Sequence, residues 1–170
     1  MTKIPSYLLN LAGEYRVCSE LNKRGVFATV TYGNQKGVDV YAISDRQERA
    51  LKIEVKTSQR DGFVTSISQK GLIDSPTAPD FWVLFQLKPT GDDTYSEVFF
   101  VLSHKEMCDV QIERNRAYGK TYHAKHGKQP DFSKGVDNVR VADLAQYANA
   151  WSKIINRFAE GTQTLSSDAS

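Results

Sequence analysis

The chain has 170 residues, 40% of them hydrophobic and 25% charged, and carries a net charge of +2. That length suits one domain with its own core, and that composition excludes a disordered, fibrous or repeat protein. Only Cys18 and Cys108 occur, far apart and without histidines at ligand spacing, which excludes a disulfide framework and a structural zinc site and points to a reducing, cytoplasmic setting.

The N-terminal apolar stretch is broken by Asn10 and Glu14, so neither a signal peptide nor a membrane span is expected there. From Pro5 to Arg24, residues Leu8, Leu11, Tyr15, Cys18 and Leu21 recur at steps of three and four, which predicts an amphipathic helix ended by Gly25. Glu14 falls on the same stripe, so a carboxylate points inward from an apolar face and needs a partner. Three β-branched or aromatic runs follow, Val26 to Tyr32, Val38 to Ile43 and Ala50 to Thr57. Gly33-Asn34 and the polar Ser44 to Arg49 stretch separate them, and together they predict an antiparallel meander.

Glycines and prolines punctuate Arg60 to Asp80, leaving one short strand expected at Phe63 to Ile67. Phe81 to Leu87 is a continuous apolar run suited to a central strand, and Val98 to Leu102 is another after the turn Gly91-Asp92-Asp93. Ser103 and Glu106 have capping-box spacing, starting a helix expected to reach Arg116. Tyr118 to Gly135 reads as an exposed loop, and a last helix from Val141 sets Leu144, Tyr147, Ala148, Trp151, Ile154, Ile155 and Phe158 on one face. Residues 1–160 thus form one domain and residues 161–170 a disordered polar tail.

The strand Leu51 to Thr57 alternates cleanly, with Lys52, Glu54 and Lys56 on one face, the pattern of any half-solvated strand. Asp39 is the telling residue, because it interrupts a β-branched run that otherwise excludes acids. When the two strands pair as a hairpin, one choice of register brings Asp39, Glu54 and Lys56 to the same face. Two converging carboxylates recruit a hard cation, Mg2+ or Mn2+ rather than zinc. A cation so held activates water while Lys56 steadies the nucleophile or the charge on phosphorus, which is the chemistry of phosphodiester hydrolysis.

The order Glu14, Gly37-Val38-Asp39-Val40, Ile53-Glu54-Val55-Lys56 resembles the PD-(D/E)XK nuclease superfamily, in its restriction-endonuclease-like and Holliday-junction-resolvase-like branch. The resemblance implies an α/β (α+β) fold with a mixed central sheet flanked by helices. It implies Asp39 and Glu54 as ligands to Mg2+, with Mn2+ able to substitute, the Val55 backbone carbonyl as a further ligand, Lys56 as the catalytic lysine, and Glu14 as the supporting acid of the first helix. It also implies DNA as substrate and, at family level only, a homodimer. Val38 stands where the name-giving proline is found, and Gln59 and Gln69 are the candidates for a glutamine that some relatives place after the lysine.

A basic segment from Arg114 to Lys134 adds candidate phosphate contacts at Lys120, Lys125 and Lys128. His123 and His126 have no carboxylate at matching spacing and read as surface histidines. The competing reading is a non-catalytic binding or regulatory protein on the same fold, in which Glu54 and Lys56 form a surface ion pair; RNA is the competing substrate.

Overall fold

The computed structural model describes residues 4–31, 38–44, 49–91, 94–132 and 135–163, the last four as backbone only. Helix α1 (Ser6–Asn22) leads into β1 (Phe27–Val30), β2 (Val40–Ile43) and β3 (Ala50–Ser58), a run of antiparallel neighbours. After β4 (Gly62–Val64), β5 (Phe81–Gly91) lies parallel to β3, and β6 (Thr94–Ser103) returns antiparallel to it. The five-stranded sheet therefore has the order β1-β2-β3-β5-β6, with β3 in its middle. Helix α2 (His104–His126), β7 (Asn138–Arg140) and α3 (Ser152–Gln163) complete the chain, β7 pairing with β4 in a second, two-stranded sheet. Among the described residues, no helix is long and apolar enough to cross a membrane.

Both faces of the large sheet are covered, which is why β5 is apolar without interruption over its first half. Phe81, Val83 and Phe85 join Val17 and Leu21 of α1 and Ile154 and Phe158 of α3 in one core. Trp82 and Leu84 face the other way, against Met107 and Cys108 of α2, Phe63 of β4 and Val139 of β7. The predicted helix end at Gly25 is present: this glycine takes a φ of +77°, and Val26 N–H reaches back to the Leu21 carbonyl at 3.1 Å. The capping box is present too, Ser103 accepting from the Glu106 N–H while the Glu106 carboxylate accepts from the Ser103 N–H at 2.8 Å.

Four expectations are corrected. The buried side of α1 is Gly13, Val17, Cys18 and Leu21, whereas Leu8, Leu11 and Tyr15 are exposed, a rotation of roughly 90° about the helix axis. The cause is Gly13: a Cβ there would lie 1.8 Å from Thr57 Oγ1, so the helix docks on β3 through its smallest residue. Residues Tyr118 to His126 are helix, not loop, because the terminator is Gly127, with a φ of +68° and its N–H on the His123 carbonyl at 2.8 Å. His123, Lys125 and His126 then lie in the last turn, where positive charge opposes the helix dipole. Lys120 and Lys125 accordingly ride on α2, with Lys128 just beyond it, all exposed.

The third correction concerns the last helix. Val141–Asp143 and Ala145–Tyr147 are 3-10 turns, Asn149 has a φ of +52°, and the α-helix starts only at Ser152. The apparent single stripe is shared by two elements on opposite sides of the sheet: Leu144 and Tyr147 belong to one core, Trp151, Ile154 and Phe158 to the other. The crossing is pinned where Asn149 N–H meets the Phe99 carbonyl at 2.7 Å. Fourth, β4 ends at Val64 and not at Ile67, and pairs with the three-residue β7, for which the sequence carries no pattern. Helix α3 runs to Gln163, three residues into the expected tail; residues 164–170 and the turns at Gly33-Asn34 and Asp92-Asp93 lie outside the described residues.

Candidate active site

The site lies where β2 begins against the middle of β3. Val40 is the partner of Ile53 in the ladder, yet the Ile53 carbonyl accepts the N–H of Asp39 at 3.0 Å, so Asp39 stands one residue out of register. Such a displacement re-aims a side chain. The Val38 carbonyl has turned toward β1, where it accepts the Thr31 hydroxyl at 2.7 Å. The Val55 N–H donates instead to Asp39 Oδ2 at 2.7 Å, the side chain completing a ladder that the backbone leaves. The N–H and C=O of one strand residue point to the same side, so the Val55 carbonyl faces this gap as well. Lys56 Nζ approaches it to 3.4 Å.

Glu54 is only 2% exposed, and Lys56 Nζ and Lys70 Nζ both donate to its Oε1, the latter at 2.9 Å. Burial pushes the Glu54 carboxyl upward, but the Lys56 charge and the hydrogen bonds from Lys56 and Lys70 outweigh it and hold the group below its ordinary range. Asp39 goes the other way: burial, then the negative charge of Glu54, raise it against the pull of Lys56, the Val55 N–H and Lys70. Glu14 is raised too, by burial first and then by Asp39. The docking of Gly13 on Thr57 thus brings the next residue of α1 within electrostatic reach of Asp39, Glu54 and Lys56.

All four predicted residues, Glu14, Asp39, Glu54 and Lys56, are therefore brought together. Lys70 was not foreseen, since the turn from Ser66 to Gly71 has no periodicity to mark it. Gln69 does not join the site: its Oε1 accepts the Asp137 N–H at 3.3 Å. Cys18, four residues beyond Glu14, is a packing residue whose thiol is pushed up to about 11 by burial and by Glu14.

Among the described residues no three His, Cys, Asp or Glu side chains form a cluster able to hold a metal by themselves. The donor set is two carboxylates and a backbone carbonyl, all oxygen. That set fits a hard cation of the Mg2+ kind, which commonly takes one or two carboxylates and completes its shell with water and phosphate; it does not fit zinc.

No protein-family model matches the chain, and no curated protein does. Among solved structures, a bacterial homing endonuclease shares the fold with a TM-score of 0.55 and 14% identity, over 94% of this chain and 98% of that one. A second, the Holliday junction resolvase Hjc of Archaeoglobus fulgidus, aligns with a TM-score of 0.44 and 13% identity, over 79% of this chain and 86% of that one. The chain thus has the fold of an endonuclease, and the mixed sheet flanked by helices that the resemblance implied is the architecture found.

Proposed function

We propose that this chain, built on an endonuclease fold, is a metal-dependent nuclease that hydrolyses DNA phosphodiester bonds. The observation that carries the reading is the displaced Asp39, whose carboxylate is held on the Val55 N–H beside a buried Glu54 that meets two ammonium groups. An acid taken out of a ladder and set next to a buried acid costs stability, which is the mark of a site rather than of a scaffold.

In this reading Asp39, Glu54 and the Val55 carbonyl hold Mg2+, with Mn2+ able to substitute. The bound cation supplies Lewis acidity at the phosphoryl oxygen and lowers the pKa of water. Lys56, only 24% exposed, keeps its ammonium at the site to orient the attacking water and to offset the charge that grows on phosphorus. Lys70 adds a second ammonium on the same oxygen of Glu54. Glu14, with its carboxyl raised, accepts or returns a proton at the edge of the same cluster. Lys120, Lys125 and Lys128 contact backbone phosphates, which positions a duplex without reading bases. A homodimer would present two such sites, and sedimentation with and without DNA reads that state.

The test is cleavage of supercoiled, linear, branched and single-stranded DNA, and of RNA, in Mg2+ or Mn2+, by the native protein and by Glu54→Gln and Lys56→Met. Loss of cleavage in both variants with folding retained is expected. Equal cleavage by all preparations, or no cleavage together with no metal-dependent rise in melting temperature, refutes the assignment. The competing picture of Glu54 and Lys56 as a surface ion pair conflicts with the 2% exposure of Glu54.

A further inference from the structure

We infer that Asp137 is a positioning residue that holds Lys70 on Glu54, coupling helix α2 to the site; the catalytic part of this inference rests on the nuclease reading above. Lys70 reaches Glu54 from a turn, not from the sheet. Among the described residues, the hydrogen bonds that fix the backbone of that turn come from within it and from outside the β2–β3 hairpin.

Asp137, just before β7, supplies the outside bonds. The residue is 5% exposed, and every polar group it owns is engaged with the turn or with α2. Its carbonyl accepts the Thr65 N–H at 3.0 Å and the Ser66 N–H at 3.4 Å. Its Oδ2 accepts the Ser68 N–H at 2.7 Å, and its own N–H donates to Gln69 Oε1 at 3.3 Å. Four of the five residues from 65 to 69, all but Ile67, are thus bonded to one residue, and Lys70 N–H closes the turn on the Ser66 carbonyl at 2.9 Å. Ser66 adopts a φ of +50°, a conformation that needs such support in a residue with a Cβ.

The far side of Asp137 is anchored in turn. Oδ1 accepts from Asn115 Nδ2 at 3.1 Å, Asn115 Oδ1 accepts from Gln111 Nε2 at 2.9 Å, and Gln111 Oε1 accepts the Thr65 hydroxyl at 2.8 Å. Thr65 and Gln111 are 0% and 1% exposed and Asn115 is half-buried, so the Thr65–Gln111 side of the ring is withdrawn from water, where each contact counts for most. The donor and acceptor arithmetic is strict. Both carboxylate oxygens accept, so Asp137→Asn sets a donor against the Ser68 N–H or Asn115 Nδ2, or else both the Asn115 and Gln111 amides must turn over and the Thr65 hydroxyl loses its acceptor. The exchange Asn115→Asp with Asp137→Asn restores the pairing, because the new amide donates to the new carboxylate while its oxygen accepts from Ser68.

The experiment reads Lys70 in two independent ways. Acetylation by acetic anhydride, followed by mass spectrometry with Lys105 as internal reference, reports how firmly the Lys70 amine is held. Cleavage kinetics report its use. In Asp137→Asn we expect Lys70 acetylation to rise about tenfold and kcat/KM to fall about tenfold, which is ~1.4 kcal/mol. The exchange variant recovers both. In a Lys70→Met background Asp137→Asn has no further effect on cleavage, whereas a merely structural role would cost the same in either background. Asn115→Ala, which leaves the carboxylate in place, gives the same comparison where Asp137→Asn yields too little folded protein. Unchanged Lys70 acetylation, or a cleavage cost undiminished in the Lys70→Met background, overturns the inference and leaves the nuclease reading standing. Raised acetylation in Asp137→Asn, when the native protein neither cleaves nor gains melting temperature with Mg2+ or Mn2+, keeps the positioning role and removes the nuclease reading.

Discussion

Replacing Lys56 and Lys70 by methionine, singly and together, tests whether the buried carboxylate of Glu54 is sustained by two ammonium groups. Each single variant leaves the other lysine on Oε1, and both lysines are partly solvated, with side chains 24% and 43% exposed. Each change should therefore cost only about 0.5–1 kcal/mol. The double variant leaves a carboxylate that is 2% exposed with no ammonium beside it, and the cost should jump to roughly 3 kcal/mol or more. For a chain of this length that is a fall in melting temperature of about 6–12 °C. The sign of the pH dependence is distinctive. In the native protein Glu54 is held below its unfolded value, so it contributes stability above about pH 4.3 that is lost as the pH falls through its folded value. In the double variant burial is left to raise it, so Glu54 costs stability as the pH rises. The gap between the two proteins, measured by urea denaturation, should be wide at pH 7, narrow toward pH 4, and close only as the pH falls below the folded value of native Glu54. Additive single effects, or a gap that does not change with pH, would refute the argument.

Further measurements address the frame around the site. Gly13→Ala should destabilise by about 1–3 kcal/mol, because the new Cβ meets Thr57 Oγ1 at 1.8 Å and outweighs the better helix propensity of alanine. Among the described residues Thr57 Oγ1 is buried without a hydrogen-bond partner, so adding Thr57→Ala should recover most of the loss; additive melting temperatures would refute the contact. Cys18 and Cys108 are each 7% exposed with raised thiols, so neither should react with a disulfide reagent in the native protein and both should react in denaturant; prompt labelling of either contradicts the packing described. Gly127→Ala should cost about 1 kcal/mol by forcing a Cβ into a φ of +68°, and an unchanged melting curve would argue against Gly127 as the end of α2.

Much of this arrangement was legible before the fold was in hand, where the signal was local. The meander, the capping box and the Gly25 terminator each occupy a few consecutive residues, and Asp39, Glu54 and Lys56 could be joined because β2 and β3 are neighbours in sequence. What was illegible depended on contacts made at a distance. The rotation of α1 follows from the fit of Gly13 against Thr57, which no hydrophobic pattern encodes. The stripe from Leu144 to Phe158 satisfied helical spacing while feeding two separate cores, because a chain that crosses a sheet edge can keep its period by accident. Gly119 made the segment after Arg116 look like a loop, yet it is a buried helical position close to Gln129 and Phe132. Lys70 was invisible because the turn that aims it is shaped by Asp137, 67 positions further on than the lysine it serves.

The crossing at Asn149 also sets an order for biosynthesis. Asp39, Glu54, Lys56 and Lys70 leave the ribosome early, within the first half of the chain. Trp151, Ile154 and Phe158, which close the layer behind β3, emerge only after residue 150, and Asp137 shortly before them. A nascent chain therefore bears the side chains of the candidate site long before it can hold them in place, and the layer behind them is completed late, when the final helix packs on the sheet and closes that core.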